Sequence, residues 1–164
     1  MRLYKEALRQ RESSARLLNA ERLTTYIDFT EVVDRWASAI GTIEMIDVDP
    51  DSDEAQRDPA VVTCEAAAAK ANAVLTRFRL VHEEDAVRFA DAVYSWILHW
   101  ANDVVDGLWP STHPGADQHH LFDLGFIESD LHRAVADEVG MSKDDLAALT
   151  RTEPRKLGGT GKRF

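Results

Sequence analysis

Residues 2–46 contain no proline, and Gly41 is the one glycine among them. Helix formers dominate this stretch and alternating β-branched runs are absent, so it reads as a single helix. At 1.5 Å per residue that helix is about 68 Å long, whereas the next two helical segments, near 59–81 and 84–107, are about 35 Å each. Two short helices lying alongside cannot cover the long one. Either the long helix breaks near its middle or its N-terminal half projects. A projecting half lacks tertiary cover and calls for a partner, most simply a second copy of the chain.

Periodicity supplies the core. Phe29, Val33, Trp36, Ile40 and Ile43 follow a 4, 3, 4, 3 spacing, which makes a heptad seam of coiled-coil type. The first half of the helix is thinner, with Leu8, Ala15 and Leu18 set among charges, and these three are the expected oligomer-interface residues. Residues 47–58 form an acidic loop around Pro50, after which Asp58 and Pro59 suit the N-cap and first position of a helix. In that helix Cys64, Ala68, Ala71, Leu75 and Phe78 repeat the spacing, and Ala66–Ala69 permit close helix approach. The third helix has acids in its first turn, as the helix dipole favours. It carries two stripes, one through Ala86, Ala90, Val93, Ile97, Trp100 and Val104, the other through Tyr94, Leu98, Ala101, Val105 and Leu108. Two stripes imply two neighbours, so this helix is expected to be the most buried. Residues 109–125 read as a loop, 127–139 and 143–151 as a helical hairpin, and 152–164 as a flexible basic tail. The expected fold is one all-α domain over 1–151: an antiparallel bundle with a long N-terminal helix and a helix-turn-helix-like hairpin at its C-terminal end.

Apolar residues make up 45% of the 164, enough for a real core and too many for disorder throughout. No apolar run approaches the roughly 20 residues of a transmembrane helix. Met1–Glu6 lead into charged sequence rather than a signal-peptide core, so a cytoplasmic protein is expected. Cys64 is the sole cysteine, which excludes an intramolecular disulfide and a cysteine zinc site. The net charge is −10, and it is uneven: residues 1–22 carry +3 and 151–164 carry +4, leaving −17 on the rest. Such a body repels nucleic acid and anionic lipid in bulk.

Arg9-Gln10-Arg11-Glu12, the run Tyr26-Ile27-Asp28-Phe29-Thr30-Glu31-Val32-Val33-Asp34-Arg35-Trp36, and the segment Ala71–Val81 ending Arg79-Leu80-Val81 carry a resemblance. Over roughly residues 9–105 the chain resembles small uncharacterised helical-bundle proteins of actinobacteria and their phages. The resemblance implies a bundle and no activity. Members often have an upstream membrane anchor, and these 164 residues include no such segment.

Several constellations could carry chemistry. In HRAVADEVGMSKDDLAALTR (132–151), Ala136 and Gly140 have helix-turn-helix spacing, Val135, Val139, Met141, Leu146 and Leu149 fill the apolar positions, and Ser142 can cap the second helix. Lys143, Arg151, Arg155 and Lys156 would then be the DNA contacts, but Asp144 and Asp145 would face phosphate. Asp47, Asp49, Asp51 and Asp53 alternate as in a calcium loop, yet Ser52 and Asp58 stand where an EF-hand needs Gly and Glu. His113, His119, His120 and His132, with Asp117 and Asp123, could ligate a metal but match no ligand motif. Glu83, Glu84, Asp103 and Asp106 resemble the magnesium carboxylates of helical nucleotide pyrophosphatases, with Val87 where a further acid belongs. Trp96, Trp100, Trp109 and Tyr94 fit core packing at helical spacing. No phosphate loop, nucleophile elbow or Cys–His pair is evident. The expectation is a non-enzymatic interaction or assembly protein without cofactor, associating with itself or with another protein. The alternative is a DNA-binding regulator using the C-terminal pair.

Overall fold

A computed structural model describes residues 2–108 and 116–150, with side chains from 4 to 108 and from 123 to 150. Among these residues the structure is all-α: α1 Arg2–Val48, α2 Glu54–Val81, α3 Glu84–Val105, α4 Ala116–Val139 and α5 Lys143–Thr150. Helix α1 does not break. It passes through Gly41 and, at 47 residues, is about 70 Å long.

Specific pairs fix the antiparallel order. Arg57 at the start of α2 binds Asp47 at the end of α1, while Arg22 in α1 reaches the carbonyl of Val81 at the end of α2. Arg57 also donates to the carbonyls of Val104 and Val105, which places the end of α3 beside the start of α2. Glu138 in the last turn of α4 meets the backbone of Glu83 at the start of α3.

The seam of α1 is buried as its spacing requires: Phe29, Val33, Trp36, Ile40 and Ile43 pack with Cys64, Ala71, Leu75 and Phe78 of α2. Phe29 and Phe78 are in tilted contact at 5.4 Å. From α3, the stripe Ala86, Ala90, Val93, Ile97 and Val104 is buried, and Leu124, Leu131, Val135 and Leu146 close the core from α4 and α5. Trp100 is only half-buried, because its indole Nε1 donates to Glu44 at 3.0 Å at the edge of the bundle. In the second stripe Ala101 is buried, Tyr94, Leu98 and Val105 are intermediate, and Leu108 is exposed. The densest burial therefore lies in α1 between Thr25 and Ile43 rather than in α3.

Two boundaries differ from the sequence expectation. Helix α2 begins at Glu54, not at Pro59, because Asp53 rather than Asp58 is the N-cap, its carboxylate accepting from Gln56 N at 3.0 Å. The added turn carries Arg57, whose guanidinium neutralises Asp47 and satisfies the terminal carbonyls of α3, where a cation suits the helix dipole. Helix α4 begins at Ala116, inside the stretch expected to be loop, and Gly125 sits within it. Helix α3 ends at Val105, and Gly107 then adopts a positive φ of 69°, as a residue past a helix end often does.

Candidate functional site

The α4–α5 hairpin forms as the sequence suggests. Gly140 takes the left-handed conformation, and Met141 N donates back to Ala136 O at 2.9 Å, a Schellman closure. Ser142 Oγ accepts from Asp145 N and donates to the Asp145 carboxylate, so this aspartate is engaged in capping α5. Asp144 and Asp145 sit in the first turn of α5 and Lys143 is exposed. Arg151, Arg155 and Lys156 lie outside the described residues.

Among the described residues the acidic constellations are not assembled. Asp47 pairs with Arg57, Asp49 accepts from Asp51 N, and Asp53 caps α2, so three of the four alternating aspartates serve local structure. Glu83 and Glu84 stand at the start of α3, while Asp103 and Asp106 stand at its end, about 30 Å away. No group of three or more metal-ligating side chains occurs among the described residues. The side chains of His113, Asp117, His119 and His120 lie outside them, as does Trp109, and Asp123 is exposed.

Sequence reasoning missed a buried polar network. His82 Nδ1 lies 2.7 Å from Glu138 Oε2, and its Nε2 lies 2.9 Å from Thr25 Oγ1. The ring stacks on Phe78 at 3.6 Å. Arg22 Nε is 3.2 Å from Glu138 Oε1, and that same oxygen accepts from the Glu83 backbone N–H. Thr, His and carboxylate in line have the order of a nucleophile, base and orienting acid. Thr25, however, is 3% exposed, and its hydroxyl also lies 3.0 Å from the carbonyls of Glu21 and Arg22. No substrate atom can reach it, so the network is a strut joining α1, the α2–α3 turn and α4.

A second polar pair faces a cleft. His132 Nε2 lies 2.9 Å from the carbonyl of Lys143, which can only accept, so Nε2 carries hydrogen. In the neutral ring Nδ1 then accepts from the Tyr26 hydroxyl at 2.9 Å. Burial, with a smaller contribution from Glu128, pushes the Tyr26 phenol well above its ordinary value, so it stays a donor. These two residues border a cleft of about 330 Å³ between α1, α3, α4 and the end of α5. Phe29, Val33, Val93 and Leu131 give it apolar walls, and Thr30, Asp34, Glu128 and Ser129 give it polar ones.

The third feature is the free end of α1. Residues 4–18 are exposed on every side, Leu8 at 44% and Leu17 at 70%. Counted by sevens, Leu8, Ala15, Arg22, Phe29, Trp36 and Ile43 form one stripe along the helix. The bundle covers that stripe from Phe29 onward and leaves Leu8 and Ala15 bare. Leu18 lies beside it, also exposed.

No protein-family model, curated protein or solved structure matches the chain. No helix among the described residues is long and apolar enough to cross a membrane.

Proposed function

We propose that the chain is a non-enzymatic assembly protein whose projecting α1 arm, residues 4–18, contacts a second copy through Leu8, Ala15 and Leu18. The observation that carries this reading is the uncovered continuation of the core stripe past the bundle. A rigid helix already anchored at its C-terminal half loses little conformational freedom when the other half docks. Charge supports a copy as the partner: the first 22 residues carry +3, while residues 23–150 carry −17. The arm of one copy is thus attracted to the body of another. Duplex DNA is the competing partner, through the α4–α5 hairpin. The acids in the first turn of α5 oppose it, since they would face phosphate.

The test is light scattering on the full chain and on the variant Leu8→Glu/Leu18→Glu. The expected result is an oligomer that falls to monomer in the variant with its helicity retained. A wild-type chain that is monomeric at tens of micromolar, or a variant of unchanged mass, overturns the reading. Tight binding of one duplex sequence at ~150 mM salt favours the regulator instead.

A further inference from the structure

The exposed arm and the buried half of α1 differ in the width of their apolar face. Inside the bundle the sevenfold stripe is flanked on both sides, by Thr25 and Val32 on one and by Tyr26, Val33 and Ile40 on the other, and all five are buried. In the arm the apolar character continues on one flank. Tyr4, Arg11 and Leu18 stand on that side of Leu8 and Ala15, while Lys5, Glu12 and Asn19 stand on the other. A face two rows wide is a coiled-coil seam, which fits one partner helix rather than a groove between several. Arg11 sets the direction of that helix. In a parallel pair each row faces itself, so Arg11 would meet the partner's Arg11, like charge against like. In an antiparallel pair the rows exchange. Leu8 then faces the partner's Leu18, and Arg11 faces the partner's Ala15, whose small side chain leaves room for the arginine stem to lead its charge out to water.

The same register sets Tyr4 level with the partner's Arg22, where the bundle begins. Arg22 donates to the carbonyl of Val81 at 2.8 Å, and Asn19 reaches that of Val139 at 3.5 Å. Sliding the two copies one heptad closer would drive Tyr4 and Leu8 against the partner's bundle, and one heptad apart would part the leucines. Charge favours the same placement. Lys5 and Arg9 come to lie beside the partner's end of the bundle, where Glu83, Glu84 and Asp137 are exposed around the base of the arm. On the reading that α1 mediates self-association, we infer that the arms of two copies pair antiparallel, Leu8 of each against Leu18 of the other. The two-fold axis crosses the arms between Arg11 and Ala15. Such a contact is isologous and closes at a dimer.

Disulfide cross-linking of the full chain tests the pairing. The variants Leu8→Cys and Leu18→Cys are oxidised separately and as an equimolar mixture, with the wild-type chain as the control for the buried Cys64. In the antiparallel register the two copies of either position lie about 15 Å apart along the axis, beyond the reach of a disulfide. The expected result is that neither variant cross-links alone and that the mixture gives a covalent dimer. A second mixture, Arg11→Cys with Ala15→Cys, should cross-link as well while both leucines stay in place. Leu8→Cys or Leu18→Cys cross-linking with itself means a parallel pair and overturns the proposal. A dimer in light scattering that cross-links in neither mixture also overturns it, leaving self-association standing but the arm elsewhere. A wild-type chain that is monomeric at tens of micromolar overturns both the pairing and the reading on which it rests.

Discussion

Glu138 and His82 meet at 2.7 Å across the bundle, 56 residues apart in sequence, and both side chains are almost wholly removed from water. Glu138 answers three needs at once. It accepts from the His82 ring, pairs with Arg22, and receives the backbone N–H of Glu83, where α3 has no cap from its own N-cap side chain. Removing one member leaves the others buried without compensation, which is the expensive way to break an ion pair.

Glu138→Ala should therefore lower stability by about 3–5 kcal/mol in urea melts. Arg35→Ala, which removes an exposed i,i+4 pair with Glu31, should change it by less than about 0.5 kcal/mol. A loss under about 1 kcal/mol at Glu138 would mean that water reaches the network.

The bundle was legible because its determinant is local. The repeat through Phe29, Val33, Trp36, Ile40 and Ile43 can be read without knowing any partner, and all five are buried. The stop at Gly140 and the cap at Ser142 follow from single-residue chemistry in the same way. The polar network was not legible. Arg22, Thr25, His82 and Glu138 sit on three separate stretches, each ordinary in isolation, and only tertiary packing brings them within 3.2 Å of a partner. The cleft was hidden for the same reason, since Tyr26 and His132 stand 106 residues apart and only the packing of α1 against α4 brings them together. The start of α2 was misplaced because Pro59 is a strong local signal. Asp53 and Arg57 outweigh it through a cap and through contacts with helix ends distant in sequence.

That competition at α2 can be measured. Asp53→Ala should cost about 1 kcal/mol, as loss of an N-cap does. Asp58→Ala should cost less than about 0.5 kcal/mol, since Asp58 is exposed within a helix already begun. The reverse order in thermal melts would put the helix start at Pro59.

Tyr26 gives the fold an alkaline limit. Burial raises its phenol above the unfolded value near 10, so the folded state keeps the proton after the unfolded state has lost it. The contribution is fully present below pH 10 and declines as pH rises toward the folded value, with a slope of up to about 1.4 kcal/mol per pH unit. Tyr26→Phe should flatten stability above pH 10 while costing about 1 kcal/mol at pH 7 through the lost bond to His132. Parallel pH profiles for the two proteins would show that Tyr26 already ionises in the folded state.

Cys64 reports on the α1–α2 seam. Its side chain is buried in α2, and desolvation holds its thiol above the ordinary range, partly offset by an interaction with Trp36. Among the described residues the Trp36 indole N–H has no hydrogen-bond acceptor, and the polarisable Cys64 sulfur is the polar group beside it. Only the thiolate attacks a disulfide reagent, and both burial and the raised pKa suppress it. Labelling at pH 8 should therefore wait on an opening of the seam and run at least about 100-fold slower than in the denatured chain. It should also accelerate with sub-denaturing urea, because opening exposes the Phe29–Phe78 contact along with the thiol. Glu138→Ala should speed it as well, if the strut at one end of α2 holds the seam closed. Rapid labelling in plain buffer would mean that α1 and α2 separate without global unfolding, and that the arm of α1 is not anchored by the bundle.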